Sequence, residues 1–388
     1  MKIHKPHYFP TGAFLLLTIF CAAFASDAFA CTTFCLKSKD EMLFGRNYDW
    51  QIGDGLVFVN KRNVRKVSTA AGDSNPAQWI SKYGSVTFNQ YGRENPMGGM
   101  NEAGLVIELM WLDETQYPKR DSRPGIDVLE WLQRNLDTAA TIAEVLKNAE
   151  NIRIKSDVKI HYLVNDKDGN SAAIEFLNGQ MVAHSGDHLP FSTLANDTYD
   201  KSVNYLKTTA PEKDKTSSSF DRFTRAAEKT KEFAAKPKTE RQAVDYAFNV
   251  LSDVAQKGYT QWSIVYDQKR GKIYFRTKDS PTIKSIDTKA FDYSCGTAIK
   301  IFDINSKDSG DVTAKFTDYT RAANRDLLGR AFARTDFLKN IPPLIIDGFA
   351  AYPENFACRM NGQISALEPD NKNIGLPFFV PAILYFLL

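Results

Sequence analysis

The most constraining feature of the sequence is the junction between Ala30 and Cys31, where an apolar segment ends and a strand-like segment begins. Residues 12–24 are mostly apolar and follow two lysines, and Ala28-Phe29-Ala30 has the small-x-small pattern that signal peptidase cuts. A cut after Ala30 would make Cys31 the first residue, with a thiol and a free α-amine on one residue. We therefore predict a signal peptide at 1–30 and a periplasmic or secreted chain.

Two alternatives to this cut stay open. A helix that spans a bilayer needs about 20 apolar residues. The apolar run is shorter than this, which argues against a retained membrane anchor. A lipoprotein cut before Cys31 would acylate the amine and remove it as a base, but Ala28 stands where such signals carry a bulky aliphatic residue. The N-terminus of the mature chain distinguishes these cases.

Length and charge limit the classes of function. The whole chain has 388 residues and a net charge of +3, and the first 30 residues hold two lysines and one aspartate. A mature chain of 358 residues and net charge +2 is not basic enough to favour nucleic acid binding. The Cys31-x3-Cys35 spacing has no accompanying Cys or His pair, so it is a poor zinc signature. We expect neither a metal nor an organic cofactor.

Cysteine use is consistent with an oxidising compartment. Cys31, Cys35, Cys295 and Cys358 remain after the predicted cut, and an even number in an exported protein usually indicates disulfides. If Cys31 is a nucleophile it stays free, so at most one bridge forms among the other three. The sequence does not say which two cysteines pair.

The hydrophobic pattern predicts an α+β fold. Two hairpins argue for antiparallel sheets, and blocks of helical periodicity lie between groups of strands instead of alternating with them one to one. The predicted strands are 31–37, 42–50, 56–59, 85–88, 105–111, 159–164, 172–176, 261–266, 272–276 and 296–304. The predicted helices are 126–136, 142–146, 220–235, 240–255 and 322–332, with a glycine-rich turn at 98–104 and a surface loop at 208–218. The proline-marked tail at 341–388 has no predicted structure.

The first hairpin points to amide hydrolysis. Its second strand would return Arg46 and Asp49 to the start of the first strand, beside Cys31. Amide hydrolysis requires a nucleophile, a base, donors for the oxyanion and an acid for the leaving amine. An α-amine with a pKa of about 7.7–8.0 could exchange the proton of its own thiol near neutral pH. We expect Arg46 to lower the thiol pKa and Asp49 to orient the amine.

Three segments together resemble the choloylglycine hydrolase family of N-terminal-nucleophile cysteine hydrolases. They are Cys31-Thr32-Thr33, 44–49 and 99–105, and each is weak alone but specific in combination. This family includes penicillin V acylases, bile salt hydrolases and N-acyl homoserine lactone acylases. The resemblance covers about residues 31–335 and implies an αββα sandwich, with two antiparallel sheets between helical layers. It leaves 336–388 as a C-terminal extension.

The resemblance also implies roles for five residues. Cys31 matches the nucleophile, and Arg46 and Asp49 match the residues that tune and orient it. Asn196 matches the asparagine of the oxyanion hole, and Arg222 matches the arginine that completes the charged cluster.

Two departures resemble the Gram-negative branch of the family. Trp111 stands where bile salt hydrolases have a second asparagine, so Asn196 and a backbone N–H would have to supply the oxyanion donors. The stretch between Asn196 and Arg222 is shorter than in Gram-positive members, where it contributes to tetramers, so a homo-oligomer is left open. Trp50 and Trp111 could line an apolar acyl pocket, or they could be core residues.

We therefore expect an exported amidase that hydrolyses a linear non-peptide C–N bond through a thioester on Cys31. Its partner would be a small N-acyl amide such as penicillin V, an acyl homoserine lactone or a conjugated bile acid, with no nucleic acid and no stable membrane insertion. One alternative is a non-catalytic periplasmic binding protein or lipoprotein on the same fold. A weaker alternative is a papain-like protease that pairs Cys31 or Cys35 with His161.

Overall fold

The computed structural model describes residues 31–70, 73–209, 217–235, 239–360 and 363–364. The predicted signal peptide and most of the predicted loop at 208–218 lie outside these residues, as does the apolar run at the end of the tail. Among the helices that are described, none has both the length and the apolar character of a membrane span.

Strands and helices follow in the order below within the described residues. The strands are β1 (Thr32–Lys37), β2 (Met42–Asp49), β3 (Leu56–Asn60), β4 (Val64–Val67), β5 (Gln78–Ile80), β6 (Ser85–Asn89), β7 (Pro96–Asn101), β8 (Val106–Trp111), β9 (Gly125–Ile126), β10 (Arg153–Ile154), β11 (Ile160–Asn165), β12 (Ser171–Leu177), β13 (Gln180–Ser185), β14 (Thr193–Leu194), β15 (Thr260–Asp267), β16 (Lys272–Thr277), β17 (Lys284–Asp287), β18 (Lys300–Asp303), β19 (Gly310–Asp311), β20 (Thr317–Asp318), β21 (Ala357–Met360) and β22 (Gln363–Ile364). The α-helices are α1 (Val128–Thr138), α2 (Ile142–Glu150), α3 (Tyr199–Thr208), α4 (Ser219–Ala234), α5 (Glu240–Asp253), α6 (Arg321–Arg334) and α7 (Pro343–Ala351).

Two large sheets form the centre of the fold. In the described part of the chain, sheet A has the strand order β14-β1-β2-β15-β16-β17-β19, and sheet B has the order β13-β12-β11-β8-β7-β6-β3-β18-β20. Neighbouring strands are antiparallel in both sheets, except that β17 and β19 are parallel. Helices α4 and α5 pack on β1, β2 and β15 of sheet A, while α1 packs on β7 and β8 of sheet B. The predicted αββα sandwich is confirmed.

Alternation along the strands separates the apolar layers. On β15, Ile264 and Tyr266 belong to the apolar cluster between the two sheets, whereas Val265 belongs to the cluster beneath α4 and α5. This is the period of two that a strand imposes on its side chains. A third cluster between sheet B and helices α1 and α2 contains Trp131 and Tyr162. A strand buried on both faces therefore reads as a continuous apolar run.

The glycine-rich turn predicted at 98–104 is partly wrong. Strand β7 continues through Gly98 to Asn101, and the chain turns only after that residue. Gly98 is required there because a Cβ atom would clash with the carboxylate of Glu108 on the neighbouring strand. The strand predicted at 296–304 is also too long, since only Lys300–Asp303 pairs in sheet B.

The described residues after 335 pack on the body of the protein. Helix α7, which was not predicted, contacts α6, and the two helices share an apolar cluster that includes Phe332 and Ile345. Strand β21 pairs with β4, and Cys358 forms a disulfide with Cys295 at a Cα–Cα distance of 5.5 Å. Cys31 and Cys35 are free thiols. The structure therefore supplies the pairing that the sequence left open.

Candidate active site

The β1–β2 hairpin brings the predicted nucleophile next to the predicted charged residues. Thr33 of β1 is paired with Arg46 of β2, so Cys31 lies near the end of β2 that carries Asp49. The Cys31 side chain is buried, and its Sγ lies 3.9 Å from Nη2 of Arg46. The backbone N–H of Asp49 also hydrogen-bonds the sulfur. Two donors of β2 are thus directed at the thiol.

Arg46 is a buried charge that joins the two sheets. Its Nη1 donates to the Glu108 carboxylate and to the carbonyl of Met97, and its Nη2 donates to the carbonyl of Leu109 at 3.0 Å. Burial alone would lower the pKa of Arg46, but the Glu108 carboxylate raises it above its ordinary value. The guanidinium therefore stays charged beside Cys31.

Burial outweighs this positive charge at the thiol. The pKa of Cys31 is raised, because desolvation exceeds the lowering effect of Arg46, and the Asp49 carboxylate adds to the increase. The expected effect of Arg46, to lower the thiol pKa, is present, but burial makes the net shift upward. The thiol therefore needs a base close by to lose its proton near neutral pH.

Asp49 has one satisfied and one unsatisfied oxygen. Thr260 donates its hydroxyl to Oδ1, whereas Oδ2 is buried without a hydrogen-bond partner among the described residues. Burial raises the pKa of Asp49 to about 7, against the lowering effects of Arg222, Thr260 and Arg46. An additional donor at Oδ2 would favour the charged carboxylate.

Arg222 connects Cys31 to Asn196. Its Nη1 donates to the Cys31 carbonyl at 2.7 Å and to the Thr32 hydroxyl, and its Nη2 donates to Oδ1 of Asn196 at 3.0 Å. Nδ2 of Asn196 donates to the Trp111 carbonyl at 2.8 Å. These two contacts fix which end of the amide is oxygen and which is nitrogen. A side-chain amide carries two N–H donors, so one remains for a ligand.

A buried pair supports the loop that carries Asn196. His161 donates from Nε2 to the carbonyl of Ala195 at 2.8 Å, and its Nδ1 lies 3.3 Å from Oε1 of Glu175. The same oxygen accepts the backbone N–H of Tyr199 at 2.9 Å. Glu175 and His161 thus hold the loop on both sides of Asn196. Since both ring nitrogens of His161 are engaged here, the structure does not support the papain-like alternative.

Trp50 and Trp111 are both half-buried. Trp50 stacks on Tyr48 with ring centroids 6.3 Å apart, and its Nε1 donates to the Tyr91 hydroxyl at 2.7 Å. Trp111 donates from Nε1 to Asp113 at 2.8 Å, in addition to the contact of its carbonyl with Asn196. Each ring packs against a core cluster and keeps part of its surface accessible. Their place in an acyl pocket stays a prediction.

Several residues around the site were not identified from the sequence. Glu108 is a single charge inside the apolar run 105–111, and this was a usable indication of a buried partner. Glu175 is likewise the single charge of the predicted strand 172–176, whereas Thr260 carried no comparable indication, because its contact with Asp49 comes from a strand distant in the chain. Among the described residues, no group of three or more His, Cys, Asp or Glu side chains is arranged to hold a metal ion.

Comparisons with known proteins agree with this geometry. The profile of the linear amide C–N hydrolases, choloylglycine hydrolase family, matches residues 31–220 and 213–301, which is more than half of the chain. The chain belongs to the choloylglycine hydrolase family. Like the other members of this group, it is a linear amide C–N hydrolase.

Two penicillin V acylases are among its relatives. The enzyme of Pectobacterium atrosepticum is 27% identical over 316 residues, which cover 68% of this chain and 82% of the relative. The structure of the enzyme from Agrobacterium tumefaciens superposes with a TM-score of 0.66 at 28% identity, and it covers 75% of this chain and 98% of that one. A variant of the conjugated bile acid hydrolase from Clostridium perfringens gives a TM-score of 0.60 at 19% identity, over 72% and 98% of the two chains. The last likeness concerns the fold alone.

Replacing Glu108 by Gln is expected to destabilise the protein strongly. Glutamine keeps the shape of the side chain but leaves the Arg46 guanidinium buried without its counterion, a change that typically costs about 3–5 kcal/mol. The free energy of unfolding in urea measures this loss. Asp245 pairs with Arg241 on an exposed helix face, so Asp245→Asn serves as the control and should change it by less than about 0.5 kcal/mol. Equal effects of the two changes would contradict the account of Arg46.

Replacing Glu175 by Gln is expected to make the free energy of unfolding depend less on pH under acidic conditions. Burial works to raise the pKa of Glu175, but the rings of His161 and His184, whose nitrogens lie 3.3 and 3.4 Å from its carboxylate oxygens, lower it to about 2. Since this pKa is below the ordinary value, the carboxylate contributes stability above about pH 4.5 and loses it as the pH falls towards 2. Between these two pH values, the free energy of unfolding of the wild type should fall by about 3 kcal/mol more than that of the variant. Urea unfolding at pH 5, 3.5 and 2.5 measures this, and parallel curves would refute the assignment.

Proposed function

We propose that this protein is an exported hydrolase of N-acyl amides, in which Cys31 is the first residue of the mature chain and forms a thioester with the acyl group. The observation that carries the proposal is the environment of the Cys31 sulfur. Nη2 of Arg46 lies 3.9 Å from it, and the backbone N–H of Asp49 hydrogen-bonds it. Arg222 holds the Cys31 carbonyl at 2.7 Å, which fixes the residue from its other side.

The α-amine of Cys31 is the base in this proposal. A cut after Ala30 converts the peptide nitrogen into an amine, whose ordinary pKa of about 7.7–8.0 suits proton exchange near neutral pH. Oδ2 of Asp49, which has no hydrogen-bond partner in the described part of the chain, supports this role, because a protonated amine would give that buried oxygen a donor. The raised pKa of the thiol explains why such a base is needed.

The reaction then has two halves. The amine takes the proton of Cys31, the sulfur attacks the acyl carbonyl, and the resulting oxyanion accepts the second Nδ2–H of Asn196. The tetrahedral intermediate collapses, the C–N bond breaks, and the leaving amine receives the proton held by the α-ammonium. Water next attacks the thioester, with its proton taken by the α-amine, and the carboxylic acid is released with the thiol restored.

The acyl group is proposed to be aromatic or otherwise bulky and apolar. Trp50 and Trp111 are both half-buried and adjoin the charged cluster around Cys31. Trp50 stacks on Tyr48, and the Trp111 carbonyl accepts a hydrogen bond from Asn196. Flat aromatic faces suit a phenoxyacetyl group. The two relatives named penicillin V acylases, at 27% and 28% identity, favour the same kind of substrate.

Export is supported by two independent features. Residues 1–30 have the composition of a signal peptide, and the Cys295–Cys358 disulfide belongs to a class of bond that persists in oxidising compartments. The alternative of a non-catalytic binding protein has no comparable support, because the donors around Cys31 are arranged as a hydrolase requires.

Replacing Cys31 by Ser is expected to lower kcat/KM by at least about a thousandfold without unfolding the protein, because the variant lacks the thiolate nucleophile. The assay is hydrolysis of penicillin V, acyl homoserine lactones and glycine- and taurine-conjugated bile acids by the purified mature protein. Cys35 is the other buried free thiol, so Cys35→Ala is the control and should keep most of the activity. Turnover retained in Cys31→Ser, or no hydrolysis of any of these amides by the wild type, would contradict the proposal.

A further inference from the structure

Phe337 is an exposed aromatic residue beside a predicted acyl-pocket residue. It lies in the turn that follows α6 and keeps 43% of its surface accessible, although most large apolar side chains in the described residues are buried. Its ring meets the ring of Trp50 edge-on, with centroids 6.5 Å apart and an interplanar angle of 83°. An exposed phenyl ring that contacts Trp50 extends the aromatic surface at that residue towards solvent.

A continuous series of contacts joins Phe337 to the sulfur of Cys31. The Arg46 guanidinium lies 3.9 Å from the sulfur and 4.8 Å from the ring centroid of Tyr48. The Tyr48 ring stacks on Trp50 at 6.3 Å, and Trp50 contacts Phe337. Arg46, Tyr48 and Trp50 occupy alternate positions of one strand and its end, so they point to the same face of sheet A. This face leads from the nucleophile to the surface.

A relay of hydroxyl groups fixes the Trp50 ring against α6. Trp50 donates from Nε1 to the Tyr91 hydroxyl at 2.7 Å, and the Tyr91 and Thr335 hydroxyls are 2.9 Å apart. Thr335 donates to the carbonyl of Ala331 at 2.8 Å, so Tyr91 must be the donor to Thr335. The orientation of Trp50 therefore depends on the end of α6, two residues before Phe337.

Ion pairs hold the loop after Trp50 to the same helix. Asp54 accepts from Nε of Arg330 at 3.2 Å and also from Arg334, and its side chain is only 13% exposed. Both arginines belong to α6. Leu338 and Ile341, which lie between α6 and α7, belong to the same apolar cluster as Phe332 of α6, and this packing holds the turn itself in place. The turn with Phe337 is thus attached to the Trp50 loop by hydrogen bonds, ion pairs and packing.

We propose that the turn after α6 is a specificity element, in which Phe337 forms the outer wall of the acyl site and favours aromatic over short acyl groups. This inference rests on the proposed function and names the substrate class more closely. Residues 321–341 lie beyond residue 301, where the match to the family profile ends.

The test compares two acyl groups on one amine. Phenoxyacetyl and acetyl amides of 6-aminopenicillanic acid share the leaving group, so a difference between them reports on the acyl site. Phe337→Ala should lower kcat/KM about tenfold for the phenoxyacetyl amide, mainly through KM, and change it less than about twofold for the acetyl amide. Phe337→Tyr keeps the ring and should keep the preference of the wild type.

Leu344 provides the matched control. It is 65% exposed on α7, so Leu344→Ala removes an accessible apolar side chain of the same region without touching the aromatic series. It should leave both amides within about twofold of the wild type. An equal loss on both amides in Phe337→Ala, or no loss on either, would overturn the inference while leaving the proposed function intact. A wild-type enzyme that cleaves neither amide would overturn the inference, and it would overturn the proposed function as well only if acyl homoserine lactones and conjugated bile acids were also left uncleaved.

Discussion

The burial of the Arg46 guanidinium is the constraint on which the site depends. A charge without exposed surface is tolerated only when its hydrogen bonds and its counterion are supplied by the protein. Sheet B supplies them, with the Glu108 carboxylate and the carbonyls of Met97 and Leu109, whereas Arg46 itself belongs to sheet A. The ion pair therefore ties the two sheets together at the point where Cys31 lies. Tyr266 adds a hydrogen bond to the same carboxylate from sheet A.

Two further sets of contacts, called supports below, begin at residues next to the Arg46–Glu108 ion pair. On one side Arg222 joins the Cys31 carbonyl to Asn196, and the loop of Asn196 rests on the buried pair of His161 and Glu175. On the other side Tyr48 and the residues beyond it form an aromatic series that reaches the surface. In the proposed mechanism, the first support fixes donors for a developing negative charge, and the second offers apolar surface for an acyl group. A polar cluster next to an aromatic surface would suit the proposed hydrolysis of apolar acyl amides.

The sequence predicted the parts of this site that depend on local pattern. The hairpin that pairs Arg46 with Thr33 follows from alternation and a short turn, so the proximity of Arg46 and Asp49 to Cys31 could be predicted. The roles of Asn196 and Arg222 were predicted from the family resemblance alone. No local pattern in the residues between them and Cys31 predicts that they lie near it. Glu175 could not be placed, since its partners lie on strands and a loop separated by 14 and 24 residues. Helix α7 was missed because its apolar residues follow two prolines and lack a clear helical period.

The central claim is that the active molecule begins at Cys31 with an unblocked amine. The direct measurement is N-terminal sequencing and intact mass of the catalytically active fraction, before and after alkylation with iodoacetamide. The account predicts a chain that starts at Cys31, with one alkyl group on the sulfur of this residue and loss of activity in proportion to its labelling. An active fraction that retains Ala30, or that carries an acyl group on the Cys31 amine, would contradict it.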